Sequence, residues 1–186
     1  MRSSKNVSKE LIRKKYLKLR KSHHIDIDKN IFLPVKKIKQ TLFKTKNSIN
    51  IGIYYPIKNE FNPLVLLGLK KKIKFNTLLP VIKNNNLVFV KWDLNDPLEI
   101  NNYGILEPSN KKLIFIPDIC LTPLVTYDKK KYRVGYGKGF YDRYFAQNKK
   151  VVKIGAAFSW QKIEFIPKNS RDIKMDYILT EKGIEN

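Results

Sequence analysis

Apolar positions recur along the chain at two spacings, one typical of helices and one typical of strands. Ile12, Tyr16 and Leu19 fall at i, i+4 and i+7, and Ser8 precedes them as a suitable N-cap. These features predict a helix from Ser8 to about Lys21. Further helices are predicted after the cap residue Asp28, from Asn62-Pro63 through Lys74, and near Phe140–Gln147. The apolar face of the helix after Asp28 consists of Phe32, Val35, Ile38 and Leu42.

Apolar runs of strand length lie between these helices. They are Ile49–Tyr55, Thr77–Ile82, Leu87–Trp92, Lys112–Ile116, Leu121–Tyr127, Val151–Phe158 and Tyr177–Thr180. Alternation of strands and helices favours the α/β class. The sequence therefore predicts a single three-layer domain over residues 1–186, with a largely parallel central sheet flanked by helices. Because ligands of such sheets bind where strand ends meet loops, we expect a site near the loops after Tyr55, Tyr127 and Phe158.

The charge balance points to an anionic partner without identifying it. The 186 residues include 38 Lys and Arg against 16 Asp and Glu, a formal net charge of +22. A polyphosphate or a nucleic acid would suit this excess, but a lysine-rich composition with solvated lysine faces would produce the same number. The sequence has no paired Cys/His finger spacing, RNP-like aromatic motif or basic region with heptads, so we expect no specific nucleic-acid partner.

Cysteine content and apolar run length restrict the class of protein further. The one cysteine, Cys120, excludes an internal disulfide framework and a cysteine-based zinc cluster. Apolar runs are too short to cross a bilayer, so we expect a cytoplasmic protein with no membrane partner. The basic segment Met1–Arg20, with Ser3 and Ser4, is also typical of a mitochondrial transit peptide. The helical spacing of its apolar residues instead favours a helix of the fold.

The segment from Arg133 to Arg143 is the most unusual stretch of the chain. Its chemically useful members are Arg133, Gly135, Gly137, Lys138, Gly139 and Asp142. Alternate glycines let a backbone turn tightly and present N–H groups to an anion, and the next helix directs free N–H groups to the same place. With the two cations this forms a phosphate cradle, and the carboxylate is a hard ligand for Mg²⁺. The spacing matches neither standard nucleotide motif, so a structural turn is an equal alternative.

Two other stretches hold candidate polar groups. Asp172 and Asp176 form a carboxylate pair near a predicted strand, for which ordinary surface solvation is the alternative. Tyr54 and Tyr55, followed by Glu60, place an aromatic wall and one carboxylate after a buried strand. Core packing is the alternative interpretation of these tyrosines.

Taken together and in order, these stretches resemble the 5-formyltetrahydrofolate cyclo-ligase family over nearly the whole chain, from about Lys9 to Ile184. The matching positions are Lys9 and Arg13, Tyr55-Pro56 with Glu60, Tyr103–Pro108, Arg133–Asp142, Ile154–Phe158, Gln161, Pro167 and Asp172. One departure is Lys131, which stands where the family usually has a glycine before the loop. This change bears on loop geometry and nucleotide affinity.

The resemblance implies ATP-dependent closure of 5-formyltetrahydrofolate to 5,10-methenyltetrahydrofolate. We expect the enzyme to be a monomer. ATP would be the cosubstrate, Mg²⁺ the cofactor, and the partner a reduced folate, with or without a polyglutamate tail. The implied ATP-binding residues are Lys9, Arg13, Arg133, Val134, Gly135, Tyr136, Gly137, Lys138, Gly139, Phe140 and Tyr141, of which Lys138 and Arg133 are the implied catalytic cations. The implied folate contacts are Tyr55, Glu60, Tyr136 and Phe140, and the implied metal ligands are Asp142 and Asp172.

Overall fold

The structure, a computed structural model, describes residues 8–23 and 25–185. Its α-helices are α1 (Lys9–Ser22), α2 (Leu33–Leu42) and α3 (Phe140–Gln147), and its 3-10 helices are Lys29–Phe32, Pro63–Leu69 and Ser159–Gln161. Its strands are β1 (Ile49–Gly52), β2 (Phe75–Lys83), β3 (Asn86–Lys91), β4 (Leu98–Ile100), β5 (Leu106–Pro108), β6 (Ile114–Phe115), β7 (Ile119–Pro123), β8 (Thr126–Asp128), β9 (Arg133–Val134), β10 (Val152–Ala156), β11 (Lys162–Ile163), β12 (Tyr177–Thr180) and β13 (Gly183–Glu185).

Eight strands form the main sheet, in the order β13-β12-β10-β7-β1-β2-β3-β6. Neighbours from β12 to β2 are parallel, whereas β13, β3 and β6 pair antiparallel at the edges. The turn between β2 and β3 has Asn84 and Asn85 at φ 48° and 62°, the left-handed conformation that two-residue hairpins favour. The predicted α/β class with a largely parallel central sheet is confirmed.

Helices cover both faces of this sheet. On one face Val35 of α2 and Phe32, the N-cap residue of that helix, belong to a core cluster that includes Ile49 and Ile51 of β1. On the other face Tyr144 and Phe145 of α3 pack in a second cluster with Phe89, whose ring centroid lies 5.1 Å from that of Tyr144. The three layers follow from this arrangement, because central strands bury side chains on both faces, as β7 does with Ile119 and Leu121 in the first cluster and Cys120 in the second.

The predicted bounds of α1 hold because its cap is encoded locally. The hydroxyl of Ser8 accepts a hydrogen bond from the N–H of Leu11 at 3.3 Å, and the helix ends just before His23. Residues 1–7, which belong to the segment weighed as a transit peptide, lie outside the described residues. No helix in the described part of the chain is long and apolar enough to cross a bilayer.

Three local predictions are wrong. The helix expected from Asn62 through Lys74 is only the 3-10 helix Pro63–Leu69, since Gly68 within it weakens a regular helix. Leu42 is 52% exposed because α2 ends there. The strand expected over Leu121–Tyr127 divides into β7 and β8 around Val125, whose carbonyl accepts a bond from a side-chain amide instead of from a neighbouring strand.

Loops that leave the carboxyl ends of β1, β7 and β10 converge on one another. The ring of Phe61, after β1, lies 5.5 Å from that of Phe158, after β10. The side-chain amide of Gln161 donates to the carbonyl of Val125, after β7, at 2.7 Å. The edge of the sheet at which the sequence predicted a site is therefore the edge where these loops meet.

Candidate active site

Helix α1 runs across the converging loops and brings three cations to them. The cations are Lys9, Arg13 and Arg20. They lie at i, i+4 and i+11, close to whole helical turns, so they share one face of the helix. Lys9 contacts Asp172, Arg13 contacts the carbonyl of Gly135, and Arg20 contacts the hydroxyl of Tyr136. The helix thus links the glycine-rich loop to the carboxyl-terminal part of the chain.

The anion end of the site, which we define as Lys9, Arg13, Arg133, Asp142 and Asp172, is rich in charge. Lys9 Nζ lies 2.5 Å from Asp172 Oδ2. Arg13 Nε donates to the carbonyl of Gly135 at 2.8 Å. At Gly137, where φ is +98°, a Cβ would lie 3.3 Å from the Arg13 guanidinium. The loop can therefore follow this path against Arg13 only with glycine at that position.

Arg133 fixes the rest of this end. Its Nη2 lies 3.1 Å from Asp142 Oδ1, and its Nη1 donates to the carbonyl of Ile173 at 2.9 Å. The N–H of Ile173 in turn donates to Asp142 Oδ1 at 3.0 Å. Asp142 and Asp172, the two predicted metal ligands, therefore lie on neighbouring parts of one hydrogen-bonded cluster.

The two carboxylates suit Mg²⁺ in type and number. Mg²⁺ is usually held in proteins by one or two carboxylates together with substrate phosphates and water. The side chains of Asp142 and Asp172 are 25% and 16% exposed, so solvent and ligands can reach them. Each also faces a cation, which a metal ion would have to displace or share. Within residues 8–23 and 25–185 no three His, Cys, Asp or Glu side chains are grouped to hold a metal.

A second part of the site consists of Arg20, Glu60 and Tyr136, and we call it the pterin end because the resemblance implies folate contacts at Glu60 and Tyr136. Arg20 and Glu60 are buried, and Tyr136 is half-buried. The Tyr136 hydroxyl donates to Glu60 Oε1 at 2.8 Å and accepts a hydrogen bond from Arg20 Nη2. The other carboxylate oxygen, Oε2, accepts from the N–H of Ile57 at 2.9 Å. The side chains of Arg20 and Glu60 are only 2% and 4% exposed.

Burial and hydrogen bonding have opposite effects on the pKa of Glu60. Burial raises the pKa of its carboxyl, while the Ile57 N–H, the Arg20 guanidinium and the Tyr136 hydroxyl lower it, and the net shift is upward. The pKa of Tyr136 is raised by burial and by the nearby Glu60 charge. An ionised carboxylate can accept about four hydrogen bonds, so Glu60 has acceptor capacity left for a ligand with N–H groups.

A basic cavity of about 630 Å³ lies beside the same glycine-rich loop. The amine of Lys138 is 5.9 Å from the ring centroid of Tyr103, and the ring of Phe140 is 5.5 Å from that of Tyr103. Arg143 stacks on Phe140 with its guanidinium carbon 5.1 Å from the ring centroid, and donates to the carbonyl of Asn85 at 3.2 Å. The structure therefore places Lys138 and Phe140 in a cavity of aromatic rings and cations.

The Tyr103–Pro108 motif positions this cavity wall. Glu107 is buried and accepts hydrogen bonds from the Asn101 side chain at 2.9 Å and from the N–H of Ile82 at 3.3 Å. These bonds hold the β4–β5 hairpin against β2, with Tyr103 in the turn between its strands. The glutamate of the motif is thus a structural anchor, and the tyrosine is the residue that faces the cavity.

The remaining predicted residues are Val134, Gly139 and Tyr141, which the resemblance assigns to ATP, and Tyr55, which it assigns to folate. Val134 is buried beside Ile12, so only its backbone can meet a ligand. Gly139, at φ +66°, caps α3, and the next turn of that helix contains Tyr141. Tyr55 is half-buried in the loop after β1, two residues before the N–H that binds Glu60.

Sequence analysis missed Arg20, Arg143 and the turn Asn84–Asn86 as parts of the site. Arg20 carries a usable signal, since it lies seven residues after Arg13 and so two turns farther along the same helix face. The other two have no such signal, because only the folded chain brings the β2–β3 turn to α3.

Comparisons with known proteins point to one family. A family model described as the 5-formyltetrahydrofolate cyclo-ligase family matches residues 5–181. The chain is similar to 5-formyltetrahydrofolate cyclo-ligases of Haemophilus influenzae, at 32% identity over 74% of this chain and 79% of that protein, and of Mycoplasma genitalium, at 33% over 93% and 98%. Among solved structures it is similar to the 5,10-methenyltetrahydrofolate synthetase of Mycoplasma pneumoniae, with a TM-score of 0.67 and 27% identity over 94% of this chain and 99% of that one. The corresponding Aquifex aeolicus protein gives a TM-score of 0.71 and 29% identity over 95% and 91%.

Proposed function

The chain belongs to the 5-formyltetrahydrofolate cyclo-ligase family and catalyses ATP-dependent cyclisation of 5-formyltetrahydrofolate, and we propose that the anion end and the pterin end together form its site. The phosphates of ATP bind at the anion end. The folate ring binds at the pterin end. The product is 5,10-methenyltetrahydrofolate, released with ADP and phosphate.

The chemistry requires the two substrates to meet. A formamide oxygen is a poor leaving group, and transfer of the γ-phosphoryl group onto it, with cleavage of the bond to ADP, makes a good one. The N10 lone pair then attacks the formyl carbon, N10 loses its proton, and phosphate departs with the carbon–oxygen electron pair. The task of the protein is to hold the phosphoryl donor and the formyl oxygen together and to neutralise charge.

Residues of the anion end supply the neutralisation. Lys9, Arg13 and Arg133 would bind phosphate oxygens, and Lys138 would add a cation from the other side of the loop. Backbone N–H groups of the glycine-rich loop contribute further donors. Asp142 and Asp172 would hold Mg²⁺, which when bound offsets negative charge on the phosphates.

Residues of the pterin end supply orientation. The 2-aminopyrimidine edge of a pterin presents N–H donors, and the unused acceptor positions of Glu60 suit them. Tyr136 fixes the carboxylate from one side, and Tyr55 would line the pocket with Phe140. The basic cavity at Lys138 and Arg143 suits an anionic part of a substrate, a polyglutamate tail included.

One observation carries this proposal. Tyr136 belongs to the phosphate-binding loop, yet its hydroxyl donates to Glu60 at 2.8 Å. The loop proposed for ATP and the carboxylate proposed for folate are therefore in direct contact, as a reaction between the two substrates demands. We also propose that the enzyme acts as a monomer in the cytoplasm, with ATP and a reduced folate as its partners.

The test is turnover by the purified protein. 5-Formyltetrahydrofolate, ATP and Mg²⁺ should give the near-ultraviolet absorbance of the methenyl product, and omission of ATP or of Mg²⁺ should abolish the signal. Asp142→Asn should lower the rate by about tenfold or more, because it removes a charged ligand. Glu164→Gln, at an exposed carboxylate, is the matched control and should leave the rate unchanged.

Two outcomes would contradict the proposal. If the Asp142→Asn variant turned over at the wild-type rate, Asp142 would not be a metal ligand. Absence of product from folded wild-type protein would contradict the cyclisation itself. RNA binding at physiological salt, with a steep dependence on salt concentration, would then favour the alternative based on the net charge.

A further inference from the structure

We propose that Arg20 is a positioning residue of the folate site, which keeps the Glu60 carboxylate and the Tyr136 hydroxyl in the arrangement that receives the pterin. This inference rests on the proposed function of Glu60, and it concerns a residue that touches neither substrate in that proposal. Arg20 acts through the two groups that it holds.

Geometry is the first support. Arg20 reaches the site from the last turns of α1, and its side chain is almost wholly buried. One terminal nitrogen donates to the Tyr136 hydroxyl, and the other donates to the carbonyl of Leu124 at 3.3 Å and lies 4.0 Å from Glu60 Oε1. Because the tyrosine oxygen accepts from Arg20, its own hydrogen is free to point to Glu60. The arginine therefore sets the direction of that bond.

The way in which Arg20 is buried argues against a purely structural role. Its Nε is buried and has no hydrogen-bond partner among the described residues. A buried cation with an unpaired donor stabilises a core poorly, and an apolar side chain of similar size often does better. The arrangement is more useful for the charge it places beside Glu60 than for packing.

Charges and hydroxyls from several elements surround Glu60. Arg20 lies on α1, Tyr54 and Lys58 lie on the same loop as Glu60, Tyr136 lies on the glycine-rich loop, and Tyr141 lies on α3. Of the two cations, Lys58 is exposed to solvent, where its charge is screened. Arg20 is thus the buried cation that favours the ionised carboxylate against the opposing effect of burial.

The experiment compares Arg20→Met with Lys18→Met, an exposed lysine on the same helix. Arg20→Met should raise KM for 5-formyltetrahydrofolate by about tenfold or more, as loss of a charge-assisted contact implies, with KM for ATP changed by less than about twofold. Without the cation the pKa of Glu60 rises further, so the acidic pH at which folate binding is lost should move upward by about one pH unit or more. Lys18→Met should change none of these quantities.

Arg20→Lys distinguishes positioning from folding. It retains the charge but not the planar guanidinium, so the pH midpoint should return towards the wild-type value while KM for folate stays raised. Equal losses for both substrates with an unmoved pH profile would show that Arg20 only stabilises the fold, and would overturn the proposal. If Arg20→Met does not fold, the KM values of Arg20→Lys decide the question. A raised KM for folate alone supports positioning, and equal increases for both substrates overturn the proposal.

Calorimetric binding of 5-formyltetrahydrofolate without ATP separates this inference from the proposed function. Wild-type protein that binds folate but forms no product would contradict the cyclisation and leave Arg20 testable by the same pH midpoint. Wild-type protein that turns over while Arg20→Met keeps full folate affinity at every pH would contradict only the role of Arg20.

Discussion

The two ends of α1 meet the site in different ways. At its first turn Lys9 pairs with Asp172, and both side chains are partly open to solvent. Near its last turn Arg20 reaches Tyr136 and Glu60 in the interior. A partly exposed ion pair contributes less to stability than a buried one and can exchange its partner, whereas a buried charge is costly to leave unpaired. The first end is therefore suited to exchange a carboxylate for phosphate, and the second is fixed before a substrate arrives.

One rigid helix sets the distance between these ends. Arg20 lies eleven positions after Lys9, which corresponds to about 16 Å along a helix axis. The glycine-rich loop follows the same path, with Gly135 bound to Arg13 between the two ends. In the proposed site, secondary structure rather than a flexible connection would thus define the positions of the nucleotide and the pterin relative to each other.

The sharpest test of this comparison replaces a carboxylate by the corresponding amide at each end of α1, at Glu60 and at Asp172. Glu60→Gln should lower the free energy of unfolding by about 3 kcal/mol, because it leaves the buried Arg20 charge uncompensated. Asp172→Asn should lower it by about 1 kcal/mol or less, since Lys9 can turn to solvent. Urea unfolding of both variants at neutral pH measures the difference. Equal losses would show that the two ends do not differ in the way their exposure implies.

Lys9 provides the next test, on substrate binding instead of stability. Lys9→Met should raise KM for ATP by about tenfold, as expected for loss of one charge-assisted contact, and should leave KM for folate unchanged. Added salt should weaken ATP binding less in the variant than in the wild type, because a screened contact has been removed. Lys14→Met, at an exposed lysine on α1, is the control and should behave as wild type. An increase in both KM values would mean that Lys9 supports the whole site.

Local sequence signals predicted the elements that carry the site. Ser8 caps α1 as expected, and α3 has the predicted bounds. The ordered motifs led to the family that the later match confirmed. Gly137 and Gly139 adopt the positive φ values for which glycine is suited. These features could be predicted because each depends on residues close together in the sequence.

Other features depend on contacts distant in sequence and could not be predicted in that way. Arg20 and Tyr136 are 116 residues apart, and Arg143 meets the Asn85 carbonyl across 58 residues. Nor does a pattern of apolar residues show which lysines face a cavity, as Lys138 does. The assignment of Asp142 and Asp172 to a metal stays a prediction, because their present partners are cations of the protein itself.

The smallest effect on stability and substrate binding is expected at Lys131, which lies just before the glycine-rich loop. Lys131 has φ 64°, so it adopts the left-handed conformation for which glycine is suited. Its N–H donates to the carbonyl of Asp128 at 2.9 Å, and the Asp128 carboxylate accepts from the N–H groups of Lys130 and Tyr132 at 2.9 and 3.0 Å. The turn thus accommodates a side chain at this position, at a cost of about 1 kcal/mol.

Lys131→Gly should relieve that strain while increasing the freedom of the unfolded chain. These effects oppose each other, and the Lys131 amine also loses its place 5.9 Å from the centroid of the Tyr177 ring. We therefore expect the free energy of unfolding to change by less than about 1 kcal/mol, and both KM values to stay at wild-type levels. If Arg13 and Arg20 of α1 hold the glycine-rich loop at Gly135 and Tyr136, the residue at position 131 can change without moving that loop. A large change in KM for ATP would show instead that the turn at Lys131 sets the geometry of the loop.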